Sequence, residues 1–135
     1  MSKIDQLRHA ETGDPLNDFV LLYPNELDQD AVGIWQIVPD AEHAFGLSGD
    51  DLFEYVRRAV VALLDAGAVP VKFEDGSGYE WTHQKQYGVA SDEISEAVVA
   101  ELARVPLPWD SYALIEHCPW FARPNPKYPK YVKMD

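Results

Sequence analysis

The most regular pattern of apolar positions along the chain runs from residue 52 to residue 64. Apolar residues recur there three or four positions apart, which places them on one face of an α-helix: Leu52, Phe53, Val56, Ala59, Val60, Leu63 and Leu64. Ser48 is positioned to cap the start of this helix, with Asp51 three residues later in a variant of the capping box. Gly67 is positioned to end it. The pattern predicts a long helix between Ser48 and Gly67 at the centre of the core.

Weaker helical patterns precede and follow the long helix. An apolar stripe in residues 27–38 stops before Pro39, which predicts a second helix. Residues 40–45 predict a short helix, and residues 91–105 predict one that ends before Pro106. The chain is therefore expected to build most of its core from helices.

Shorter segments have the composition of strands. Residues 69–73 and 79–82 predict the two strands of a β-hairpin, because an Asp-Gly turn separates them. Residues 109–116 are rich in aromatic and β-branched side chains, and we expect them to pair into the same sheet. The apolar run 19–23 fits either a buried strand or one turn of helix, since periodicity does not separate the two.

The two ends of the chain differ from its middle. Residues 1–17 contain few apolar side chains, and we expect this N-terminal segment to fray. Residues 119–135 contain four prolines among aromatic residues, which predicts an extended C-terminal arm without regular structure, laid over the body or partly free. Residues 18–118 then form a single α+β domain with a small helical core and a β-hairpin.

The order of elements in residues 27–82 resembles that of a winged-helix domain: helix, short helix, long helix and hairpin. In DNA-binding members of that class, the long helix presents Lys and Arg side chains to the groove. The polar positions of the long helix here are four acids and two bases: Asp50, Asp51, Glu54, Arg57, Arg58 and Asp65. The resemblance therefore implies a winged-helix-like fold without its DNA-binding function.

Composition limits the classes of function further. The chain has 135 residues, which is the size of one domain, and its 23 acidic and 11 basic residues give a formal charge of −12. That charge opposes binding to nucleic acid and to anionic lipid. No apolar run approaches the length of a membrane span, and the N-terminus does not resemble a signal peptide. The single cysteine, Cys118, fits a reducing compartment, and we expect a cytoplasmic protein.

The sequence contains no established catalytic motif. His117 and Cys118 are adjacent, but neighbouring side chains do not form a nucleophile–base pair by adjacency alone. His43, His83 and His117 would form a metal site only if the fold gathered them. We therefore expect no catalytic residues, no metal and no cofactor.

The charge is concentrated in the first half of the chain, where residues 1–55 contain twelve acids and two bases. We hypothesise that an acidic face attracts a basic protein, and its candidate residues are Glu26, Asp28, Asp30, Asp40 and Glu42. Aromatic side chains in Pro-rich sequence are candidate interface anchors: Trp109, Tyr112, Trp120 and Phe121.

These observations favour a non-catalytic protein–protein interaction module that binds a basic partner. A small acidic chain without catalytic motifs is similar in type to the immunity proteins that neutralise bacterial toxins, many of which carry basic nuclease domains. Two alternatives stay open. One is a winged-helix-like transcription regulator or accessory subunit, and the other is an enzyme or small-ligand-binding protein with a pocket of aromatic and histidine side chains.

Overall fold

A computed structural model describes residues 3–134 of the chain. Within that range the fold is α+β, as predicted, with five α-helices and five short strands in one mixed sheet. The helices are Leu16–Val20 (α1), Ile34–Pro39 (α2), Gly49–Asp65 (α3), Ser91–Ala103 (α4) and Ser111–His117 (α5). The strands are Val32–Gly33 (β1), Val69–Lys72 (β2), Trp81–His83 (β3), Trp120–Ala122 (β4) and Val132–Lys133 (β5). Shorter turns of helix are Lys3–Gln6, Tyr23–Asp28 and Lys85–Tyr87 (3₁₀) and Asp40–Ala44 (π).

Helix α3 is the centre of the core, as its apolar pattern predicts. Phe53 and Leu64 are half-buried at the edge of the predicted stripe, and the other members of the stripe are buried. Gly67 follows the helix with a φ of 96°, a left-handed conformation that glycine adopts without a steric penalty and that ends the helix. The expected capping box is not formed, because the Ser48 side chain makes no capping hydrogen bond.

The predicted hairpin is present. Strands β2 and β3 pair in antiparallel fashion, with Val71 opposite His83, and β3 begins two residues later than the pattern predicts. The hairpin is only part of the sheet, whose strand order is β1-β4-β2-β3-β5. All neighbouring strands are antiparallel except β3 and β5.

The Pro-rich C-terminal segment contributes two of the five strands. Strand β4 lies between β1 and β2, with Phe121 opposite both Val32 and Pro70, and β5 pairs with the edge of β3. The prediction that prolines exclude regular structure from this segment is wrong. The prolines flank β4 instead of interrupting it, so each of its residues keeps the N–H group that pairing requires.

The N-terminal segment packs against the body within the described residues. Ile4 and Leu16 are fully buried in the main core, and Arg8 forms an isolated β-bridge with Pro15. The expected fraying is therefore not seen in residues 3–17. Met1 and Ser2 of this segment, and Asp135 of the C-terminal segment, lie outside the described residues.

The helix predicted for residues 27–38 is replaced by three short elements: the end of the 3₁₀ helix Tyr23–Asp28, strand β1 and helix α2. The apolar residues of the predicted stripe still point inward, because Leu27, Ala31 and Ile34 are all buried. A side chain at Gly33 would collide with the Trp35 ring, since an added Cβ would lie 2.5 Å from Trp35 Cδ1. The chain changes from strand to helix at this glycine.

Residues 109–116 were expected to form a strand, but most of them form helix α5. Asp110 favours the helix over the strand, because its carboxylate accepts a hydrogen bond of 2.8 Å from the backbone N–H of Ala113 and caps the helix. For the run 19–23, which fits a strand or a helical turn, the structure has the end of α1 and the start of a 3₁₀ helix. No helix among residues 3–134 is long and apolar enough to cross a membrane.

Candidate partner-binding surface

The acidic segment begins with the 3₁₀ helix Tyr23–Asp28. Pro24 sits in its first turn, where its fixed φ favours a helical start and its missing N–H costs nothing. Glu26, Asp28 and Asp30 are exposed along this turn and just after it. Residues 9–56 contain eleven Asp and Glu residues and no Lys or Arg, so the segment lies within a stretch of the sequence whose charged side chains are all acidic.

Tyr23 connects this segment to the second group of predicted acids. Its hydroxyl donates a hydrogen bond of 2.7 Å to Asp40 Oδ2, and it lies 2.7 Å from the hydroxyl of Tyr55. Because a tyrosine has one proton to donate, Tyr55 must donate to Tyr23. Burial raises the pKa of the Tyr23 hydroxyl far above its ordinary range, and Tyr55 and Asp40 raise it further. The hydroxyl therefore stays a donor to Asp40 at every physiological pH.

A cleft of about 390 Å³ opens between the two acidic segments. Its lining residues are Phe19, Leu22, Tyr23, Glu26, Val32, Gln36 and Asp40. Two of them are carboxylates, none is basic, and Phe19, Leu22 and Val32 supply an apolar wall. The carboxylates come from segments that are separate in the sequence and that the Tyr23–Asp40 hydrogen bond holds together. The cleft therefore combines negative charge with apolar surface in a fixed arrangement.

The other predicted acids lie outside this cleft. Asp28 forms an ion pair with Arg123 and lines a second cleft beside the C-terminal segment. Asp30 Oδ1 accepts a hydrogen bond of 2.7 Å from the backbone N–H of Ala31. Glu42 is exposed on the π-helical turn. The structure thus brings Glu26 and Asp40 to one cleft and leaves the other three acids on the surface of the same two segments.

No protein-family model, curated protein or solved structure matches this chain. Its function is therefore inferred from the charge and geometry of its own surface. The acidic side chains carry that inference, because the predicted aromatic residues do not gather beside them.

Two of the predicted aromatic anchors, Trp120 and Phe121, belong to strand β4. Because neighbouring side chains of a strand point to opposite faces of the sheet, the two rings lie on different sides. Phe121 is fully buried and faces the helices, so it cannot contact a partner, and its prediction as an interface residue is wrong. Trp120 faces the other side of the sheet and is half-buried between Trp35 and Trp81, with ring centroids 5.9 Å and 5.3 Å away. The three tryptophans form a row, in which Trp35 also packs against the main core and Trp81 and Trp120 pack against the smaller cluster on the other face of the sheet.

The other two aromatic candidates lie near helix α5. The Trp109 indole N–H donates to the backbone carbonyl of Val105, and its ring packs 6.0 Å from that of Phe53, so this side chain is part of the core edge. Tyr112 is 75% exposed, and Leu107 nearby in the sequence is 73% exposed. Only Tyr112 of the four is displayed as a surface anchor would be.

The bases of helix α3 are already paired. Glu54 accepts hydrogen bonds of 2.8 Å from both Arg57 and Arg58, which pair also with Glu96 and Asp5 respectively. Partial burial opposes ionisation of Glu54, but these hydrogen bonds outweigh it and lower the pKa of the carboxyl. In DNA-binding winged helices the corresponding helix presents free basic side chains to the groove, whereas the two arginines here are held by acids of the same chain.

The histidine and cysteine side chains form no shared site. Within the described part of the chain, no group of three or more His, Cys, Asp or Glu side chains is placed to hold a metal ion. Cys118 is buried, and burial raises the pKa of its thiol to about 12, with Glu101 adding to the shift. The thiol is protonated at neutral pH, which makes it a poor nucleophile beside the exposed His117.

Sequence reasoning missed the residues that shape the cleft, above all Tyr23 and Gln36. The partners of Tyr23 lie 17 and 32 residues further along the chain, and no local pattern joins them. Gln36 Oε1 accepts from the backbone N–H of Gly33, which fixes the amide at the start of α2. The nearest sequence signal was Pro24, which indicates a turn but not what the turn faces.

Proposed function

We propose that this protein is a non-catalytic interaction module that binds a basic partner protein. The acidic surface, defined as Glu26, Asp28, Asp30, Asp40 and Glu42, makes the contact. The observation that carries the proposal is the cleft between the two acidic segments, whose lining includes Glu26 and Asp40 and no basic residue. Charge arranged in this way increases the rate of association with a positively charged partner.

An exposed apolar side chain in the cleft supports the same proposal. Leu22 is 47% exposed and lines the cleft together with Glu26 and Asp40. Interfaces combine an apolar centre with a charged rim, because the apolar part supplies affinity and the charges supply rate and specificity. Leu22 beside the Glu26 and Asp40 carboxylates therefore provides both components in one place.

The test compares two triple variants in affinity capture from the native cell, quantified by mass spectrometry. The first variant, Asp28→Lys with Asp30→Lys and Glu42→Lys, reverses charge on the acidic surface but leaves the cleft residues unchanged. The control, Glu11→Lys with Asp75→Lys and Glu116→Lys, makes the same change of net charge at exposed positions elsewhere. We expect the first variant to lose basic proteins that the unmodified protein and the control both retain.

The captured partner then allows a kinetic measurement. We expect the first variant to associate several-fold more slowly at low salt with little change in dissociation, and the difference to shrink as the Debye length falls from ~10 Å at 0.1 M salt to ~3 Å at 1 M. Equal capture by both variants, or association rates that do not depend on salt, would refute the acidic surface as the contact.

A further inference from the structure

The geometry points to an arginine side chain of the partner as the occupant of the cleft lined by Glu26 and Asp40. This inference rests on the proposed function and identifies the group that its central cleft receives. The cleft volume of about 390 Å³ lies within the roughly 300–1,000 Å³ of typical ligand sites. A bound group must therefore fit a small cleft that has carboxylates on one wall and apolar side chains on another.

The acidic part of the cleft has unused hydrogen-bond acceptors. Among residues 3–134, the Glu26 carboxylate has no hydrogen-bond or ion-pair partner, and Asp40 accepts only one side-chain hydrogen bond, from Tyr23 to Oδ2. Both ionised carboxylates accept hydrogen bonds and donate none. These acceptors favour a cation with several N–H donors, which can bond to carboxylates from both segments.

Arginine fits this requirement better than lysine. Its planar guanidinium carries five N–H donors in a fixed fork, whereas the ammonium of lysine is a compact point charge that keeps its water strongly. The apolar stem of an arginine would lie against Leu22 and Val32, which line the same cleft. The combination of an apolar wall with divided carboxylates thus favours a guanidinium on an alkyl chain.

The Asp40 side of the site is also fixed before binding. Asp40 is held by the Tyr23 hydroxyl, and the Tyr23 ring packs edge-on against Phe19 at 5.9 Å and against Tyr55 at 6.4 Å. Tyr55 is fully buried, so this support is part of the core. A carboxylate that is already ordered loses little side-chain entropy on binding, and this increases affinity for a matching cation.

The experiment is an NMR titration of the ¹⁵N-labelled full-length protein at low salt with three blocked tripeptides. These peptides are Gly-Arg-Gly, Gly-Lys-Gly and Gly-citrulline-Gly, in which citrulline keeps the shape of arginine without its charge. We expect the arginine peptide to give saturable shifts of the amide signals of Tyr23, Glu26 and Gln36, with several-fold weaker binding of the lysine peptide and none of the citrulline peptide.

Variants locate the binding. Glu26→Gln and Asp40→Asn each remove one charge from the cleft, and the amide introduced by Asp40→Asn retains an oxygen that can accept from Tyr23. We expect each to weaken arginine binding about tenfold, since each removes a charge-assisted hydrogen bond. The control Glu116→Gln removes the same charge at an exposed position outside the acidic surface and is expected to change binding less than about threefold, because charges far from the cleft are screened by salt.

Equal binding of lysine and arginine peptides, or equal weakening by Glu116→Gln and Glu26→Gln, would overturn the inference. Its failure differs from that of the proposed function. If the arginine peptide does not bind while the Asp28, Asp30 and Glu42 charge reversal still abolishes partner capture, only the identity of the occupant is wrong. If capture survives that reversal, the acidic surface itself is not the contact.

Discussion

At the scale of single residues, two tyrosine hydroxyls decide the geometry of the site. Tyr55 donates a hydrogen bond to Tyr23, and Tyr23 donates one to Asp40. Both hydrogen bonds are therefore donated in the same direction, from the core toward the cleft. The two hydroxyls are not equivalent. The Tyr23 hydroxyl has a hydrogen-bond partner on each side, whereas the Tyr55 hydroxyl is the buried end of this row of hydrogen bonds.

This asymmetry predicts unequal effects on stability. Tyr23→Phe leaves the Tyr55 hydroxyl buried without its partner and removes the donor to Asp40, which should cost about 1–3 kcal/mol. Tyr55→Phe removes one hydrogen bond and leaves the Tyr23–Asp40 bond intact, which should cost about 0.5–1.5 kcal/mol. Urea unfolding of the two variants measures the difference, and an equal or reversed order would contradict the position of Tyr23 between its two partners.

At the scale of elements, two helix N-termini show that a residue type that favours the N-cap position does not always form the capping hydrogen bond. Ser48 and Asp110 both occupy N-cap positions, and both are residue types that favour them. Only Asp110 makes the capping hydrogen bond, to the backbone N–H of Ala113. Helix α3 forms without a side-chain cap because its buried face supplies most of its stability.

The sequence pattern predicts a helix cap at Ser48, but the structure shows a capping hydrogen bond only at Asp110. We therefore expect the loss of the Asp110 side chain to cost more stability than the loss of the Ser48 side chain. Asp110→Ala should destabilise the protein by about 0.5–2 kcal/mol, since it removes a cap that exists. Ser48→Ala should change the free energy of unfolding by no more than about 0.5 kcal/mol, since no capping bond is lost. Thermal or urea unfolding checks the pair, and a larger loss for Ser48→Ala would show that its side chain does cap the helix.

At the scale of the whole molecule, the sheet depends on a strand from near the end of the chain. Strand β4 separates β1 from β2, so those two strands have no direct pairing without it. Phe121 of β4 is also fully buried in the main core, while Ala122 is buried on the other face. The C-terminal segment therefore completes both faces of the sheet.

Truncation tests this dependence. A chain that ends at Cys118 lacks β4 and β5, and we expect it to lose cooperative urea unfolding, because the core would be open along the centre of the sheet. A control chain that ends at Tyr131 lacks only the edge strand β5 and should fold with reduced stability. Cooperative unfolding of the shorter chain would show that the C-terminal segment is dispensable, as a free arm would be.

Buried tyrosines also predict how stability depends on alkaline pH. Burial raises the pKa of Tyr23, Tyr55 and Tyr87 above the ordinary value near 10. Above about pH 10 these groups release protons in the unfolded chain but not in the folded one, so stability is present below that pH and falls as pH rises. Melting temperatures from pH 8 to 11 should show this fall, with a shallower slope in Tyr55→Phe. A flat profile would contradict the burial of these hydroxyls.

Local patterns in the sequence determined the elements whose signals are local. The stripe from Leu52 to Leu63 specified helix α3, and Gly67 specified its end, because helical spacing and a left-handed glycine need no distant partner. The Asp-Gly turn specified the β2–β3 hairpin for the same reason. The α+β class and the concentration of acids in the first half of the chain also follow from the sequence alone.

Contacts between distant residues decided the rest. Strand β4 forms because β1 and β2 supply partners for its backbone, which its own proline-flanked sequence cannot indicate. The cleft exists because Tyr23 reaches Asp40 and Tyr55 across 17 and 32 residues. The sequence identified Glu26 and Asp40 as acids, but only packing brought them to one cleft and buried Phe121, because burial and convergence are properties of the assembled chain.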